Sequence, residues 1–106
     1  MTTEVWYRHQ LGLFDDPIDA AFRGFHHAHP EVYRELAALA RAWRAAGHKK
    51  VGIATLFEVL RWNSHIQGRD VDGFKLNNNY RSRYARLLMA NEPDLDGLFD
   101  TRELHN

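Results

Sequence analysis

The stretch KLNNNYRSRYARLLM, residues 75–89, gathers Lys75, Asn78, Asn79, Arg81, Ser82, Arg83 and Arg86 within one short segment. These side chains suit recognition of a polyanion. Guanidinium groups bind phosphate, or guanine O6 and N7, through paired hydrogen bonds, and an asparagine amide pairs with adenine N6 and N7. With Tyr80, Tyr84, Leu87 and Leu88 set inward at 100° per residue, Asn78, Asn79, Ser82 and Arg86 point outward, flanked by Arg81 and Arg83. The three consecutive asparagines stand where a helix begins, where backbone N–H groups are free and the dipole is positive. The pattern predicts a nucleic-acid recognition helix over 77–91 with Asn79, Ser82 and Arg86 exposed. Loss of Arg83 or Arg86 should then leave stability nearly unchanged. The competing structural account is that Asn77 or Asn78 caps the helix and the arginines are solubilising.

Two other clusters invite chemistry. FHHAHPE carries His26, His27 and His29. Adjacent histidines at a helix end do not easily face one ion, and no partner stands at a familiar zinc spacing, so no metal is expected. Asp70 and Asp72 read as an exposed acidic turn. Ser64 and Ser82 lie outside any nucleophile elbow, and no glycine-rich phosphate loop or dinucleotide fingerprint is present. The chain therefore reads as a non-enzyme without a cofactor. Trp62 lies off the apolar stripe of its helix and is a candidate contact anchor.

The composition supports a folded core: 106 residues, 44% hydrophobic and 12% aromatic, suffice for one domain. With no cysteine, disulfides and thiolate metal sites are ruled out. No apolar run approaches the ~20 residues of a membrane helix. The start, MTTEVWYRHQ, lacks the basic and apolar regions of a signal peptide, which predicts a cytoplasmic protein. The zero formal net charge conceals an asymmetry. Residues 47–92 hold eight basic and four acidic side chains, and residues 93–106 hold one basic and four acidic.

The elements that position these residues are mainly helical. Residues 1–16 read as a partly extended arm whose Val5, Trp6, Tyr7, Leu11, Leu13 and Phe14 cover part of the core. Pro17 opens a short helix to about His27. Pro30 opens a second over 30–46, with Val32, Leu36, Leu39 and Trp43 as its stripe, joined by Tyr33 and Ala40, and Gly47 as its stop. A third runs from Ile53 to His65–Gln67. A short strand at 50–52 could pair with Phe74–Leu76. Pro93 ends the last long helix, and a terminal turn docks Leu95, Leu98 and Phe99 before an acidic tail. The expected core joins Leu36, Leu39, Trp43, Phe57, Leu60, Tyr84 and Leu88. This amounts to a compact four- to five-helix domain over 1–106 with helix-turn-helix or winged-helix-like organisation. An alternative register makes 53–66 the recognition helix and 68–76 the wing. Against the motif stand a connection near ten residues long before the last helix and the lack of a wing after it.

GIATLFEVLRW and FKLNNNYRSRYARLLMANEPDLDGLFDTREL, within residues 22–104, resemble a family of small uncharacterised proteins encoded by bacteriophages and prophages, many actinobacterial. The resemblance implies a host cytoplasm and a small accessory or regulatory role. It carries no functional residues. The leading expectation is a non-catalytic DNA-binding protein acting through 77–91. The alternative is a protein-interaction module that binds a host or phage protein through Trp62 and the polar helix face.

Overall fold

The computed structural model describes residues 16–68 and 76–100. The amino-terminal arm, Lys75, the Asp70–Asp72 turn and the end of the acidic tail lie outside the described residues. Asp16 sets the first helix. Its backbone is extended, and its carboxylate accepts the N–H groups of Ile18 at 2.8 Å and Asp19 at 3.3 Å. Pro17 follows at N1, so helix α1 spans Pro17–Ala28. His29, ahead of Pro30, is forced off the helical region and separates α1 from α2, Pro30–Ala45. Gly47, at φ +99°, ends α2 in a conformation that L side chains rarely adopt; its N–H donates to the Arg44 carbonyl at 2.9 Å. Helix α3 spans Ile53–Ile66. A 3-10 turn, Asn78–Tyr80, leads into α4, Arg81–Asn91, and a second 3-10 turn, Pro93–Leu95, follows.

The domain is mainly α, with four helices and no strand among the described residues. None is long and apolar enough to cross a membrane. Of the Phe74–Leu76 partner expected for a strand at 50–52, only Leu76 lies within the described residues. The Val51 N–H donates to the Leu98 carbonyl at 3.1 Å, and the Trp43 indole N–H donates to the Lys50 carbonyl at 2.7 Å. An isolated two-stranded pair is marginal in water, whereas these contacts tie the segment to a packed surface. Compact helix-turn-helix units use turns of roughly three or four residues. Residues 46–52 and 67–77 make longer connections here.

Phe22, Val32, Leu36, Leu56, Phe57, Leu60, Tyr84, Leu87 and Leu88 form the centre of the core. The α2 face keeps Val32, Leu36 and Ala40 of the expected stripe and adds Ala37, while Leu39 and Trp43 are only partly covered against the core. Small side chains let helix axes approach closely, and Trp43 keeps its N–H on a carbonyl at the rim. Leu95, Leu98 and Phe99 are buried. The acidic residues around them serve as a clamp. Arg41 donates through Nε to Asp94 at 2.8 Å and through Nη2 to Glu92, and the Tyr33 hydroxyl donates to Glu92 at 2.7 Å. Burial and the Glu92 hydrogen bond push the Tyr33 hydroxyl pKa up, and Arg41 holds the Asp94 carboxyl below its ordinary value.

Candidate functional site

The asparagines divide three tasks. Asn77 is extended and its side chain accepts the Asn79 N–H at 2.8 Å, so the first asparagine caps the turn. Asn78 accepts from Arg61 Nη2, which also donates to the Leu76 carbonyl at 2.7 Å. The second asparagine thus latches α3 to the start of α4. Asn79 is exposed, and its carbonyl accepts from Arg83 Nη1 at 3.4 Å.

The arginines behave differently from the outward charges the helical wheel suggests. Arg83 is only 15% exposed: its Nη2 lies 3.6 Å from Asp16 Oδ2 and its Nε 3.9 Å from Asp19 Oδ1. Asp19 is itself buried and lies 3.7 Å from Arg23 Nη1. Arg83 is therefore the cation that holds α4 against the start of α1. Burying the Asp19 carboxylate requires such a partner, because an isolated buried charge is prohibitively costly. Arg81 is half-buried and donates through Nε to the Asn78 carbonyl at 3.2 Å. Arg86 and Ser82 are half-buried, and Arg86 has an interaction of its own. Asn78, Asn79, Arg81, Ser82 and Arg83 do converge on one cleft of ≈ 260 Å³. Asp16 and Asp100 also line it, so its walls carry both signs of charge. Sequence reasoning missed Asp19. The signal was its place three residues before Phe22, on the inward side of α1, where a carboxylate needs a cation.

The three histidines point apart. His26 is half-buried, stacked 6.0 Å from Phe22 and 5.4 Å from the Tyr33 ring. Burial, with help from His27, holds its pKa below 6.5. His27 is exposed, and His29 Nδ1 sits 3.2 Å from Glu31 Oε2. Among the described residues no group of three or more His, Asp or Glu could hold a metal ion. The Ser64 hydroxyl is buried and donates to the Leu60 carbonyl at 2.9 Å, the back-bonded geometry of a helix interior.

The outward face of α3 is the opposite of this polar junction. Trp62 is 67% exposed, Ile66 69% and Val59 36%. At spacings of three and four they form one stripe on the helix surface. No family model, curated protein or solved structure matches the chain.

Proposed function

We propose that the chain acts by binding another protein, without catalysis, through the outward face of α3. One observation carries the reading: Trp62 and Ile66, two large apolar side chains, stand about two-thirds exposed beside Val59 on a single helix face. Single exposed apolar residues are ordinary, but a contiguous group of this kind marks an interaction site, and tryptophan is a preferred anchor. An accessory role in a bacteriophage or prophage setting, as the resemblance implies, suits a module of this size.

Nucleic-acid binding remains the second reading, because five of the polar candidates line one cleft. It is weaker. Arg83 is committed to Asp16 and Asp19, Asn78 to Arg61, and the cleft contains two carboxylates. Affinity capture from host extract, repeated with the purified captured protein, tests the choice. Capture should survive high salt and be lost in Trp62→Glu and Ile66→Glu. Binding that falls steeply with salt and depends on Arg81 would favour a polynucleotide instead.

A further inference from the structure

The apolar stripe of α3 has one charged edge. At 100° per residue, Val59, Trp62 and Ile66 centre on the side turned away from Leu56, Phe57 and Leu60. Glu58 and His65, both exposed, run along one edge of that stripe, and neutral Asn63 lies along the other. Arg61 pairs with Glu58 from within the same helix, yet the Glu58 side chain stays 69% exposed.

Resting on the interaction reading of this face, we infer that its occupant is a second copy of the chain, with the two α3 helices packed antiparallel across a two-fold axis near Trp62. The edge charges select this arrangement. An antiparallel two-fold pairing sets the same edge of each helix against the other. Glu58 of one copy then faces His65 of the second, and the pair repeats on the far side of the axis. The carboxylate accepts a hydrogen bond from the imidazole, giving two complementary contacts per interface. A parallel pairing sets the Glu58–His65 edge against the Asn63 edge, so that Glu58 keeps its own Arg61 but meets no imidazole across the interface. The antiparallel order also opposes the two helix dipoles. The two Trp62 rings meet at the axis, where offset aromatic packing is favourable. The formal net charge is zero, so the copies approach without overall repulsion. Three apolar side chains per copy fall short of the ~800 Å² per partner of a standard stable interface. The dimer is therefore weak and reversible, and forms and dissolves with concentration.

Sedimentation velocity of the full chain, from low-micromolar to millimolar concentration, tests this. The mass should rise from 12.4 kDa toward twice that value. Trp62→Glu and Ile66→Glu should stay monomeric while keeping the parent's far-ultraviolet circular dichroism. Glu58→Lys should weaken the dimer several-fold, and the double variant Glu58→Lys/His65→Glu should restore it by exchanging donor and acceptor across the interface. A monomer throughout, a dimer indifferent to Trp62→Glu, or a failure of the exchange to restore association would overturn the proposal. If the chain stays monomeric while a captured protein still requires Trp62, only the second-copy assignment falls. If neither depends on Trp62, the interaction reading of the face falls with it.

Discussion

Arg83 and Trp62 sit on adjoining helices and exchange the surroundings that their chemistry suggests. The guanidinium is 15% exposed and lies between the carboxylates of Asp16, the cap of α1, and Asp19. The indole is 67% exposed on α3. Both follow from what lies opposite. Across from Arg83 stand Asp16 and Asp19, fixed at the start of α1 by Pro17 and by the Asp16 cap, and a buried carboxylate holds a cation close. Across from Trp62, within the described residues, stands nothing, because α2 and α4 take the other side of α3. Burial in a domain this small is decided by the neighbouring element more than by the polarity of the segment. A polar-rich stretch can therefore be structural while an apolar triplet faces outward.

The largest expected effect breaks the Arg83 side of the comparison. Arg83→Ala leaves Asp19 buried with Arg23 as its remaining cation. The cost should be about 2–4 kcal/mol, somewhat under that of a fully buried pair because Arg23 stays and Asp16 can reach water. Urea unfolding monitored by circular dichroism measures it. A loss below ~0.5 kcal/mol, the scale of an ordinary surface change, would return Arg83 to the role of a free surface charge and revive the polyanion reading.

The same contrast marks how far the sequence could be read. Helix starts at Pro17 and Pro30, the stop at Gly47, and the docking of Leu95, Leu98 and Phe99 are local or strongly patterned, and the structure has them. Asp19 with Arg83, and Arg41 with Glu92 and Asp94, join residues far apart in sequence; no helical wheel contains the second partner. The wheel put Ala40 on the α2 face, where it is buried, but it also put Leu39 and Trp43 there in full, whereas packing covers them only in part and buries Ala37. Within the candidate site the cap at Asn77 follows from residue type. The latch from Arg61 to Asn78 needs the tertiary fold, since it depends on where α3 ends up beside the 3-10 turn. Exposure of Trp62 was legible because its place off the apolar stripe is a property of α3 alone.

A smaller effect separates capping from contact within the asparagines. Asn77→Ala should lower stability by roughly 1 kcal/mol, because the Asn79 N–H loses its acceptor at the turn. Asn79→Ala should change little, its side chain being exposed. Equal losses at both positions in thermal unfolding would show that Asn79 shares the structural task.

His26 gives a pH signature on the buried side of the molecule. Its folded-state pKa lies below 6.5, first through burial and then through His27, so the folded protein binds fewer protons there than the unfolded chain. Its contribution to stability is therefore present above about pH 6.5 and lost as pH falls from there toward the folded value. Groups facing it include Tyr33 and Tyr84, whose pKa values are raised, and His27, while the lowered Glu31 and Asp94 act only in the carboxylate range. His26→Gln should flatten the stability profile just below pH 6.5 and leave the acid limb intact. An unchanged slope in that window would place the proton uptake elsewhere.

The smallest effect on folding should come from the most conspicuous side chain. Trp62→Ala removes the largest exposed apolar group yet opens no cavity, because the ring is 67% exposed and Leu56, Phe57 and Leu60 pack on the other side of α3. Transfer of an already hydrated ring contributes little to the folded state, and alanine raises helix propensity. Unfolding at low-micromolar concentration should therefore shift by no more than ~0.5 kcal/mol in either direction. The same variant should lose association at high concentration and lose stripe-dependent capture. Arg83→Ala should do the reverse: it should weaken folding and leave association intact whenever the chain is folded. A Trp62→Ala variant that unfolds as readily as Arg83→Ala would mean that the indole packs within its own chain, and the outward face of α3 would no longer be available to a partner.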